Sequence, residues 1–77
     1  MNIDHLTRMA NQIGLFFASM PDHAQATHDL AQHIKNFWEP RMRREFLQAV
    51  DHNPALELHP LVREALTEHR ALMEPLH

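Results

Sequence analysis

The sequence predicts an all-α protein, a small bundle of about four helices in one domain. Three observations lead there. Apolar residues recur at three- and four-residue spacing through most of the chain, and nothing alternates with period two over a useful length. Punctuation is by proline, with one Gly against five Pro, and Pro21, Pro40, Pro54 and Pro60 divide the chain into four segments. The length, 77 residues, suffices for a single domain spanning 1–77. Residues 74–77 are expected to fray after Pro75.

The first helix is expected from about Ile3 to Ser19. Ile3, Leu6, Met9, Ala10, Ile13, Phe16, Phe17 and Met20 fall within a stripe roughly 140° wide at ~100° per residue. Leu15 lies on the opposite side, either as an ordinary exposed leucine or as a contact with a partner. Gly14, at the stripe's edge, costs about 1 kcal/mol relative to Ala, and is either a close-approach point or a tolerated defect. Asp22 then caps a second helix whose stripe is Ala24, Thr27, Leu30, Ala31, Ile34, Phe37 and Trp38. Joined near Pro21, the two helices are expected to zip together as an antiparallel pair.

Glu39 is biased away from the helical region by Pro40, which suits the first position of a third helix ending near Asp51. Its apolar side is Met42, Phe46, Leu47, Ala49 and Val50. Asp51-His52-Asn53-Pro54 reads as a turn, with a short helical turn possible at Ala55–Glu57. A fourth helix runs from Pro60 to Pro75, with Leu61, Val62, Ala65, Leu66, Leu72 and Met73 on one side and His69 inside that stripe.

Composition removes several functional classes. There is no Cys, which excludes disulfides, Fe–S ligation and thiolate zinc sites and fits a cytosolic protein. The formal charge of -3 disfavours nonspecific nucleic-acid binding. No apolar stretch approaches the ~20 residues of a membrane span, and no signal-peptide pattern is present. One Gly cannot build a phosphate loop. Ser19, Thr7, Thr27 and Thr67 stand in no nucleophile elbow, so no catalytic set is expected. His28 and His33 are five apart, about 140° around a helix, where zinc-binding pairs prefer four; Asp29 and His33 have the spacing of a solvated ion pair. Protonation of all eight His would move the charge from -3 to +5 (-3 + 8), so charge-dependent contacts could vary between about pH 5 and 7. The acids Glu64 and Glu68, four apart, simply solvate a helix.

The run from His33 to Arg44 is the exception to this bland picture. It places the only Trp beside Phe37, then Pro40, then Arg41, Arg43 and Arg44 around Met42. Aromatics and arginines are the residues that most often anchor interfaces. Phe37 and Trp38 are expected in the core, setting the angle of a helix corner. The arginines sit in a helix's first turns, where cations oppose the dipole by about 0.3–1 kcal/mol each. Arg43 also falls on the apolar side and needs a carboxylate or carbonyl, either internal (Glu39, Asp29 or Glu45) or from a partner. Leu15, Phe37, Trp38, Pro40, Arg41, Met42, Arg43 and Arg44 are therefore the candidate partner-binding residues.

The wording of three segments, HIKNFWEPRMRREFL, LTRMANQIGLFFASMP and LHPLVREAL, resembles the delta subunit of NAD-linked, molybdenum-dependent formate dehydrogenases over most of residues 3 to 70. The middle motif, HI-x-x-FW-x-PRMR, is the most specific. The resemblance implies a small accessory subunit of a cytoplasmic complex that oxidises formate and reduces NAD. In such complexes other subunits carry a molybdenum or tungsten pterin, Fe–S clusters and FMN, and no cofactor is expected in this chain. The implied partner is the catalytic (alpha) subunit, with no nucleic acid and no membrane. Two roles follow as expectations: a permanent subunit that stabilises the complex, or a transient maturation factor that assists cofactor insertion.

Overall fold

A computed structural model of the chain describes residues 2–75. It contains α1 (Ile3–Phe17), α2 (His23–Phe37), α3 (Pro40–His52), α4 (Pro60–Glu68) and the single-turn α5 (Arg70–Met73), with no strand among the described residues. Sequence signals start each long helix. The Asn2 side chain accepts from the backbone N–H groups of Asp4 (2.8 Å) and His5 (3.3 Å), and Asp22 accepts from that of Gln25 (3.1 Å). Pro40 and Pro60 occupy the first positions of α3 and α4. His59 caps α4, its Nδ1 accepting from Leu61 N–H at 3.0 Å.

The core draws on every helix: Leu6 and Ala10, Leu30, Ala31 and Ile34, Phe46 and Leu47, Leu61, Val62 and Ala65, and Met73. Helix α2 lies at its centre, packed on α1, α4 and α5, while α1 touches α2, α3 and α4. Thr27 is buried on α2, its hydroxyl satisfied by the Ala24 carbonyl at 2.9 Å. Gly14 is a close-approach point. A Cβ there would meet Val62 Cγ2 at 3.0 Å and the His59 Cβ and Cγ at 3.1 Å, so the start of α4 presses against the bare backbone of α1.

The segment between α3 and α4 has no regular structure after one turn at Pro54–Ala55, and is not helical at Ala55–Glu57. Distant side chains hold it. Asn11 donates to the Glu57 carbonyl (2.9 Å) and accepts from His59 N–H (2.8 Å), and Arg63 donates to the carbonyls of Pro54 (3.1 Å) and Leu56.

Several expectations are corrected. Helix α3 continues through Asp51 and His52 before the chain turns. The last helix does not run unbroken to Pro75: it stops at His69 (φ -130°, ψ 29°) and restarts as α5. The break turns the final residues onto α2, where the His69 and His28 rings meet edge to face at 5.4 Å and Met73 is buried. No Pro or Gly marks this site, so packing alone makes it. The expected α1–α2 zipper is also not formed side by side. Phe17, at the end of α1, meets His33 in the C-terminal half of α2, whereas a simple antiparallel pair would place the start of α1 there. Ala24 is exposed and Ala26 buried in its stead. Of the expected frayed tail, Glu74 and Pro75 follow α5 as non-helical chain, and residues 76 and 77 lie outside the described residues.

A candidate partner-binding surface

Two adjacent aromatic pairs organise one face of the molecule. Neighbouring residues on a helix point about 100° apart, so two consecutive rings can meet different surroundings. Trp38 goes in: it is 4% exposed and meets the Phe46 ring edge to face at 5.5 Å. Phe37 goes out, at 72% exposed, against the expectation that both were core. The same division holds at the end of α1. Phe17 is half-buried while Phe16, expected within the buried stripe, is 72% exposed.

The outward rings are not scattered. Phe16 meets Phe17 edge to face at 5.1 Å, Phe17 meets His33 at 5.8 Å, and His33 lies tilted on Phe37 at 4.6 Å. They wall an open groove of about 520 Å³, completed by Met9, Gln12, Ile13, Trp38 and Met42. His33 has the four-residue spacing to pair with Asp29. Asp29 instead contacts Gln25 (2.7 Å) and His28 (3.4 Å), leaving His33 to stack among the phenyl rings.

Arg41 and Arg44 are exposed, and their side chains make no hydrogen bond or ion pair with the described residues. The two guanidiniums stand at the positive end of α3, whose cap residue Glu39 makes no side-chain hydrogen bond to the helix. Arg43 is half-buried. Its Nη1 donates to the Met73 carbonyl at 3.5 Å, an internal carbonyl of the kind expected, and its buried Nε has no hydrogen-bond partner among the described residues. The structure thus brings Phe37, Trp38 and Met42 together at the groove, with Pro40 and Arg41 at the start of α3. Arg44 borders a second cleft of about 450 Å³ with Asp51, Arg70 and Glu74. Leu15, 65% exposed, lies apart, beside Asn11, Leu58 and His59.

Several other polar side chains have structural partners. His23 pairs with Glu64 across α2 and α4, which gives Glu64 a partner beyond solvent. Arg70 holds Asp51 through two hydrogen bonds of 3.0 and 2.7 Å, and this bond raises its pKa above the ordinary arginine value. Among the described residues no three His, Asp or Glu side chains converge on a point that could hold a metal, and no helix is long and apolar enough to cross a membrane.

The corner and groove lie within a stretch, residues 5–66, that matches the family model of the NADH-dependent formate dehydrogenase delta subunit, FdsD. The chain belongs to the formate dehydrogenase delta subunit family. The family match runs from within α1 to within α4 and ends before α5, so every residue of the aromatic groove falls inside it. No curated protein and no solved structure matches the chain. The redox groups of a formate dehydrogenase do not fit the residues present: there is no thiol for an Fe–S cluster and no glycine-rich turn for a pterin or flavin phosphate.

Proposed function

We propose that this delta subunit is a non-catalytic, permanent component of a cytoplasmic NAD-dependent formate dehydrogenase, and that it stabilises the complex by docking on the molybdenum- or tungsten-bearing catalytic subunit. The observation that carries this reading is the aromatic groove. Two phenylalanines 72% exposed, Phe16 against Phe17 and Phe37 against His33, make an apolar face that a free monomer has no reason to keep. Exposed Arg41, which has no ion pair among the described residues, follows the groove residues Phe37 and Trp38 at the start of α3. The molybdenum or tungsten pterin, the Fe–S clusters and FMN belong, on this reading, to the other subunits, and the delta chain supplies surface rather than chemistry.

The test is purification of the assembled enzyme with and without the delta chain. One delta chain per catalytic subunit through every column, and a complex that dissociates faster without it while retaining full molybdenum, is the expected result. A delta chain absent from the mature enzyme, together with loss of molybdenum when it is deleted, would instead establish the transient maturation role.

A further inference from the structure

We infer that α5 is a latch, and that residues 69–74 exchange between the docked turn and a straight continuation of α4. The local sequence favours the straight form. From Leu61 to Glu74 there is no Gly or Pro, and Leu61, Ala65, Leu66, His69, Leu72 and Met73 keep the spacing of one helical stripe. Pro75 is the first residue that would stop such a helix. The break, by contrast, gives up hydrogen bonds. His69 N–H closes α4 on the Ala65 carbonyl at 2.8 Å, and Leu72 N–H reaches only the His69 carbonyl, at 3.0 Å. Among the described residues no backbone bond joins the N–H groups of Arg70 and Ala71 to α4. A continuous helix would pair them with the Leu66 and Thr67 carbonyls.

A small set of contacts from α2 and α3 holds the break. Met73 is buried in the core, and its carbonyl accepts from Arg43 Nη1 at 3.5 Å. Arg70 clasps Asp51 at 3.0 and 2.7 Å, and the His69 ring meets that of His28 at 5.4 Å. His69, Arg70 and Met73 lie within about one turn, so their contacts are made and lost together, as a two-state element requires. The clasp and the ring contact are exposed to solvent and contribute little. Met73 is therefore the anchor. Opening unseats it and frees both Asp51 and Arg43, so the state of the latch decides whether these groups face the fold or solvent.

Hydrogen exchange of the full free chain, followed by NMR, tests the latch. The Leu72 and Glu74 amides, bonded in the docked turn, should exchange about tenfold or more faster than those of Ala65 and Leu66 in α4. Equal rates would overturn the latch, because α5 would then open only when the whole chain unfolds. The double variant Arg70→Ala, Met73→Gln removes clasp and anchor yet keeps two good helix formers. In it the His69 Cα shift should move to the helical range, and exchange at Arg70 and Ala71 should slow about tenfold or more against the unaltered chain. Adding His69→Gly should reverse that gain roughly fivefold, since Gly disfavours a helix interior. Residues 69–74 turning to coil while α4 keeps its end would overturn the straight form, as would Arg70 and Ala71 amides that stay fast. If loss of the α2 signals shows that the double variant does not fold, Arg70→Ala alone decides. Its clasp is exposed, and it should slow the same two amides roughly twofold; no slowing would overturn the straight form.

Discussion

At the scale of residues, the chain's two adjacent aromatic pairs show how one ring per pair is committed to stability and the other to the surface. Phe37 and Trp38 are neighbours in sequence with opposite fates, and their substitutions should separate cleanly. Trp38→Ala empties a core position against Phe46 and should cost about 3–5 kcal/mol, a large part of what a domain this size has. Phe37→Ala should change the stability of the free chain by no more than about 0.5 kcal/mol, while weakening association with the enzyme. Thermal melts of the two free variants check the first contrast, and co-purification of Phe37→Ala checks the second. The sequence did not carry this division: Phe16 with Phe17, and Phe37 with Trp38, each fit a single apolar stripe. Which ring turns out depends on where neighbouring helices end.

At the scale of elements, the long helices are written in local code and their junctions are not. Asn2, Asp22, Pro40 and Pro60 fix four starts by capping or by the geometry of proline. The break at His69 has no such code. It is held by α5 docking back, through Met73 in the core and through Arg70, which clasps Asp51 at the end of α3. A double-mutant cycle on Arg70 and Asp51 should return a coupling of up to about 1 kcal/mol, since the pair is bidentate but solvent-exposed. The folded arginine's pKa lies above its unfolded value, with the Asp51 hydrogen bond as the leading cause. Its contribution is therefore fully present at every pH below the unfolded value and is lost only in strong alkali as pH rises through the folded one. The same cycle measured at pH 7 and pH 9 should give equal couplings; a fall by pH 9 would show that Arg70 loses its proton far earlier than this geometry allows.

At the scale of the whole molecule, the chain is a small domain whose core draws on all five helices and whose Cα radius of gyration is 11.4 Å. A core in a chain this short supplies little surplus: chemical denaturation of the free chain should show one cooperative transition with a stability of about 3–5 kcal/mol. Docking adds to that by mass action, so the same chain within the enzyme should resist denaturant to a higher midpoint. Equal midpoints for free and bound chain would argue that the groove is not a stabilising interface. The loop before α4 fits the same economy. It has no helix of its own and is fastened by Asn11 and Arg63, whose partners are all backbone groups.

The sequence by itself determined the fold class, the four main helix starts, most of the buried positions and the family, because periodicity, caps and proline act within a turn or two of chain. The HI-x-x-FW-x-PRMR corner was equally legible as a corner. Only the tertiary structure decided which aromatic of each pair is exposed, that His33 stacks on Phe37 instead of pairing with Asp29, that Gly14 admits the start of α4, and that the last helix breaks at His69. Each of these depends on which surfaces of separate helices meet and where they stop meeting. A helical stripe fixes the direction of a side chain about its own axis; whether another helix lies in that direction is settled by the packing of the whole chain.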